Sequence, residues 1–390
     1  MAVSSQPKVY VFMSQDQKPP LVVSNVVFFI VINLLGLVVA PLYGLYVGFS
    51  GWTWAFAATV WILSGLSITM GYHRLWSHRT YQARWPLRLA LAIFGTFSLQ
   101  NSIYVWAARH RIHHRHTDDV DHDPHSIKSG FWHAHIGWML RHWKTSEVDF
   151  NQVKDLEKDP IVMWQHRHYW TLVWAFNLGL PIALGLMVGD VLGMLLLASA
   201  FRLAFSQHCT FFINSLAHTW GKRTYSDEDS SRDNGVIALL TWGEGYHNYH
   251  HSFQADYRNG LRWWQFDPGK WLIAAAAWCG LAHGLKRTPK FKVLRARLQM
   301  QFKELEARLN EHADDETWRA TLEHEYQQFK DTVAQWQAVQ AERVQAGADA
   351  LKDRWAKTHF RTRYKELEYR MKMQAARLAS LQRITQSATA

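Results

Sequence analysis

Four long apolar stretches organise the first 216 residues of this chain. Residues 21–47, 52–72, 169–188 and 191–216 each hold about as many apolar residues in a row as a helix needs to cross a hydrocarbon layer, roughly 20 over ~30 Å. The joints at 48–51 (GFSG) and Gly189-Asp190 carry no Lys or Arg, whereas the stretch from His73 to His168 carries thirteen. Basic residues stay on the cytoplasmic side of a membrane. The pattern therefore predicts two hairpins, with both termini and the middle stretch cytoplasmic. A fifth apolar stretch, 87–106, is interrupted by Gln100 and Asn101. It is expected to be an interfacial or protein-buried helix, because a crossing there would put the residues after it on the wrong side of the membrane.

The pattern changes after residue 290. Leu294, Leu298, Leu305 and Leu309, then Trp318, Leu322, Tyr326, Phe329, Val333 and Trp336, recur every three or four positions among charges. That spacing predicts an amphipathic helical tail, a hairpin or coiled coil broken near 310–315. It would pack on its own body, dimerise, or dock a partner. The expected class is an all-α integral membrane protein: four transmembrane helices, a cytoplasmic helical cap and a C-terminal helical tail. Its divisions are a cytoplasmic segment at 1–20, a four-span unit at 21–285 and a tail at 290–390.

Composition sharpens the picture in three places. The 48% hydrophobic content averages an apolar body with a polar tail, and the 21 tryptophans suit membrane–water interfaces. The net charge of +11 is carried by residues flanking apolar segments, with no aromatic-interleaved basic stripe. It therefore points to an anionic lipid surface and not to nucleic acid. Cys209 and Cys279 form no CxxC pair, which suits a reducing compartment. The first twenty residues lack the charged and apolar regions of a cleaved signal peptide.

The 22 histidines cluster. His73 and His78 flank the predicted cytoplasmic end of the second apolar stretch. Positions i and i+5 lie about 140° apart on an ideal α-helix, so both can reach one site only if the helix ends or unwinds there. His110, His113 and His114 form an HxxHH, as do His247, His250 and His251. Offsets of three and four put each trio on one helical face. Eight imidazoles exceed the needs of one ion, so two are implied. Imidazole suits Zn, Cu, Fe and Ni, and two irons suit O2 activation. The Glu-x-x-His pairs of soluble di-iron bundles are not convincingly placed here. His116, His122 and His125, with Asp118, Asp119, Asp121, Asp123 and Glu244, are candidates to orient the ligands. His133, His135, His142, His166, His168 and His283 read as interfacial. His208, Arg202 and Gln207, inside an apolar stretch, should face protein or a cavity.

GYHRLWSHRTY at 71–81, HRIHHRHTDDVDHDPHS at 110–126 and WGEGYHNYHHSF at 242–253 together resemble the membrane fatty acyl desaturases, specifically the acyl-CoA delta-9 (stearoyl-CoA) class, over roughly residues 20–285. The resemblance implies a ninth imidazole from NSxAH, here Asn214 to His218, with Asn214 acting through a metal-bound water. The implied ligand set is His73, His78, His110, His113, His114, His218, His247, His250 and His251. It also implies an acyl tunnel limited by Trp61, with Gly65 one turn closer to the metals, and lined by Gln100, Asn101 and Trp106. Animal members carry Arg-Asp before the second box, near the acyl-CoA headgroup. This chain has Ala108-Arg109, and the Arg109 charge suits a phosphate-bearing carrier without separating CoA from phospholipid.

The reaction implied by the resemblance is O2-dependent desaturation of a long acyl chain, delta-9 on a C16–C18 acyl-CoA or a phospholipid, at a di-iron centre. Fatty acid or alkane hydroxylation is the alternative on the same scaffold. No HPGG haem-binding segment occurs, so a separate electron donor is expected: ferredoxin, a rubredoxin-like protein, or cytochrome b5 with its reductase. The expected setting is a bacterial inner membrane among membrane lipids, with a homodimer through the tail as a further expectation.

Overall fold

The computed structural model describes residues 18–311, 316–347 and 353–388. Within them, four helices are long and apolar enough to cross a membrane: Val23–Tyr46, Gly51–Ser77, Tyr169–Val188 and Val191–His218. The fourth is the hub. It is 61% buried, against 22% for the first and third and 44% for the second, because it packs against all three. Small residues allow the approach: a Cβ on Gly36 of the first span would meet the Ala200 carbonyl oxygen of the fourth at 2.6 Å. The polar residues of the fourth span face protein, as expected. Buried Arg202 donates to the carbonyls of Ala198 and Phe97 and to Asn177 Oδ1 of the third span.

The two hairpin ends are tied together. Asp190 caps the fourth span by accepting from Gly193 N–H at 2.8 Å. The same carboxylate accepts from the Tyr43 and Thr53 hydroxyls, at 3.3 and 3.2 Å. At the opposite side, Val22 N–H donates to Leu140 O at 2.9 Å and Asn25 Nδ2 to Met139 O at 2.8 Å. The start of the first span and the middle stretch therefore share one side, as the two-hairpin reading requires.

The fifth apolar stretch is no crossing. Helix Trp85–Thr96 rises only about 18 Å at 1.5 Å per residue. A turn then reverses the chain, with Leu99 and Asn101 in the left-handed region, before helix Ile103–Arg115 begins. The first of these helices packs under the second span, where Tyr72 fills the space a Gly95 side chain would take. With Pro160–Arg167 and Pro268–Trp278 it builds the cap's apolar core.

Among the described residues the tail forms a bundle of three helices, one more than a hairpin: Lys290–Glu311, Glu316–Gln345 and Arg354–Ala388. The expected break at 310–315 falls largely outside the described residues. The apolar stripes face one another, with Phe291 stacked on Trp336 and Leu298, Met371 and Leu378 fully buried. A Lys303–Asp227 ion pair of 2.7 Å ties the bundle to the cap.

Candidate metal centre

The second span continues beyond Tyr72 to Ser77, so the first histidine lies inside it. Its last stretch, Ile68–Ser77, is wound as a π-helix, with i to i+5 hydrogen bonds. His78 N–H donates to His73 O at 3.1 Å. The helix does not unwind between the two histidines: it widens, ends at Ser77 and carries His78 as its C-terminal cap. The widened turn brings residues five apart onto one face, and the two rings lie 4.9 Å apart.

Both HxxHH trios sit on short helices buried in the cap, Ile103–Arg115 and His247–Ser252. Each trio divides. His110 and His114 join His73, His78 and His250 in a group of five. His113 joins His218, His247 and His251 in a group of four. Within each group the potential ligand nitrogens lie within 4.8 Å of one another. Neighbouring Nε2 atoms stand 2.8–3.1 Å apart for His78–His110, His73–His250, His250–His114, His247–His218 and His251–His247. All nine imidazoles named from the sequence thus converge on two adjacent points.

The opposite nitrogens of four rings are held from outside. His73 Nδ1 lies 2.8 Å from Glu244 Oε2, His113 Nδ1 3.0 Å from Asp123, and His251 Nδ1 3.2 Å from Asp229. His218 Nδ1 lies 2.7 Å from Ser230 Oγ, whose hydroxyl donates to Asp118 at 2.6 Å. Such partners keep the proton on Nδ1 and leave the Nε2 lone pair for the interior. Burial, then the neighbouring imidazoles, push His78, His110, His114, His247 and His250 well below the usual histidine value. For His113, Asp123 outweighs burial and raises it. Burial pushes the Glu244 carboxyl up, but His73 and Arg74 outweigh it and hold it down at about 2. Buried, convergent imidazoles, four of them held from outside through Nδ1, form a donor set for two late first-row transition metals.

Asp123, Glu244 and, through Ser230, Asp118 were among the acids expected from the sequence. Asp119 and Asp121 lie outside this arrangement. Asp229 and Ser230 were missed, since they sit in a polar loop 17 or more residues before the third trio, with no spacing to mark them.

A cavity reaches both groups. His73 and His110 of the five and His113 and His247 of the four line it, together with Asn214, Trp61, Gly65, Gln100 and Trp106. Asn214 lines the same cavity as members of both groups. Gln100 bridges the wall, accepting from Trp106 Nε1 at 3.2 Å and donating to Thr210 at 3.0 Å. Asn101 is placed elsewhere, exposed in the turn, its backbone N–H donating to the Tyr169 hydroxyl. Trp61 is not alone at the far end. Its ring lies 4.7 Å from Trp242 and 5.8 Å from Phe205. The Trp242 indole occupies the space beside Gly65, where a Cβ would come within 1.9 Å of Nε1. Arg109 is half-buried, its guanidinium 5.5 Å over Trp138 and bonded to Ser146 O.

Residues 50–277 match the family described as fatty acid desaturase. The chain is 41% identical to the probable acyl-CoA desaturase of Schizosaccharomyces pombe, over 74% of this chain and 58% of that one. It is 40% identical to acyl-CoA desaturase 1 of Saccharomyces cerevisiae, over 68% and 53%. It therefore spans little more than half the length of these fungal relatives. The sn-1 stearoyl-lipid 9-desaturase of Anabaena variabilis is 35% identical, over 71% of this chain and 98% of its own length.

Proposed function

The chain belongs to the fatty acid desaturase family, and on that footing we propose that it introduces a double bond into a long acyl chain in an O2-dependent reaction. The observation that carries this reading is the cavity between the spans, which ends on both imidazole groups at once. The group of five, and the group of four with Asn214 through a water, would each hold one iron ion. When bound, the metal pair supplies O2 activation and removal of two vicinal hydrogens from an unactivated chain.

The protein's own part is placement. Trp106 and Gln100, locked to each other and to Thr210, set the wall beside His110. Burial of the cavity keeps water from the reacting carbons. Trp61, backed by Phe205, and Trp242 close the far end, so the distance from that end to the histidines fixes which carbons are presented. A closed end of indoles favours C16–C18 chains and the delta-9 position. The carrier proposed is CoA, in line with the names of the fungal relatives; the cyanobacterial relative's name makes a lipid-borne chain the competing outcome. The histidine face is proposed to be cytoplasmic, where a ferredoxin, a rubredoxin-like protein or cytochrome b5 would deliver electrons.

Fatty-acid analysis of cells expressing the chain tests the reaction. A new monounsaturated acid is expected, absent with His113→Ala. A hydroxy acid in its place would favour hydroxylation, and an unchanged profile with metal-loaded protein would overturn the reading. Purified protein offered acyl-CoA and phospholipid separately, with a reducing system, decides the carrier.

A further inference from the structure

Just beyond the end of helix Ile103–Arg115, three side chains that serve neither imidazole group come together. His122 Nδ1 lies 2.7 Å from Asp119 Oδ2, and His116 Nδ1 lies 4.0 Å from the same oxygen. The two imidazoles stack, with centroids 4.8 Å apart and planes at 25°. All three potential ligand atoms fall within 4.8 Å of one another. The side chains are open to solvent, at 36% for His116, 38% for Asp119 and 60% for His122.

We propose that His116, Asp119 and His122 form a second, independent site for a divalent transition-metal ion on the surface of the cap. Two imidazoles and a carboxylate suit zinc or ferrous iron and are poor ligands for Mg2+ or Ca2+. A tetrahedral ion with bonds of ~2.0–2.2 Å holds its ligand atoms about 3.3–3.5 Å apart. The observed 2.7 and 4.0 Å bracket that spacing, so small side-chain rotations complete it, and solvent exposure leaves room for water as a fourth ligand.

The backbone is already organised for this. His116 N–H closes the helix on Ile112 O, Asp119 N–H bonds His116 O at 2.9 Å, and Asp123 N–H bonds Asp119 O at 2.9 Å. Asp119 Oδ1 accepts from Asp121 N–H, leaving Oδ2 toward the histidines. The turn is pinned from behind by Asp123, which accepts from Asp118 N–H and His125 N–H as well as meeting His113. Little chain entropy remains to be lost when an ion binds. A plain His122–Asp119 hydrogen bond would need no third partner, so His116 separates the two explanations.

The test is equilibrium dialysis of the full-length detergent-solubilised protein against Zn2+, with iron per chain measured by elemental analysis on the same samples. One zinc per chain is expected beyond that bound by His116→Ala, Asp119→Asn or His122→Ala. Each variant should bind it at least about tenfold more weakly, since even partners that do not touch a metal have effects of that size. Iron content should be unchanged in all three, and His283→Ala should bind zinc normally. Zinc uptake identical in the variants and the unsubstituted protein overturns the proposal. So does a variant that loses zinc and iron together, because the trio would then belong to the nine-histidine centre. The inference does not depend on which reaction that centre performs.

Discussion

Replacing Glu244 by glutamine changes one atom and removes one charge behind His73. Glu244 Oε1 faces the Thr69 hydroxyl and Arg74 Nη2, while Oε2 faces His73 Nδ1 and Asn259 Nδ2. All four neighbours donate, so an amide nitrogen on either side meets two donors. The cheaper arrangement turns the nitrogen toward Thr69, whose hydroxyl can rotate to accept, and leaves Arg74 with Asp267 at 2.9 Å. One buried donor then loses its acceptor, which costs about 1–3 kcal/mol. His73 keeps an acceptor but loses the negative charge held behind its ring. Metal affinity should therefore fall about tenfold, the mild end of the ~10–100-fold range for such partners. Glu244→Ala, which removes the acceptor as well, should reach the severe end. The assay is iron per chain after dialysis against a graded chelator, with thermal unfolding of the same samples in detergent. Full iron retention by Glu244→Ala at every chelator concentration would show that Glu244 does not support His73 as a ligand.

Trp61→Ala alone should lengthen the accepted acyl chain only slightly, because Trp242 stays across the opening, and the Trp61→Ala/Trp242→Leu pair should lengthen it clearly; product chain lengths from mixed substrates check both. Lowering the pH should destabilise the fold below the ordinary histidine value near 6.5. His78, His110, His114, His247 and His250 resist protonation in the fold, and burial pushes His125 down to about 3. The unfolded chain then binds more protons than the folded one, so stability rises with pH between about 3 and 6.5. A flat midpoint of thermal unfolding across that window would contradict this. Asp190→Ala should lower thermal stability by about 1–2 kcal/mol, the usual value of a helix cap, while the product profile stays unchanged.

The four spans were legible because apolar runs of that length have few other uses, and the joints without Lys or Arg gave their pairing. The nine imidazoles were legible as well, eight from spacing and His218 from resemblance. Their division into five and four was not, since it depends on how the two short helices face each other. Asp229 and Ser230 escaped because a loop reaches the site by tertiary folding alone. Trp242 sits in the quoted third motif, yet nothing in the letters says that its indole turns back onto Gly65 from a left-handed backbone. The tail's periodicity marked helices but not the second break, which lets a third helix complete the bundle.

A π-helical turn is an α-helix carrying one residue too many, and the stretch Ile68–Ser77 keeps that surplus at the first histidine pair. Deleting a single residue there, such as Leu75, would let the helix relax to ordinary winding and still leave two histidines one turn apart. It would also rotate everything beyond it against a cap that does not move. Register, more than length, is what this span transmits. Chimeras that graft a second span from a relative should therefore be cut outside residues 68–78, so that the extra residue travels with its histidines.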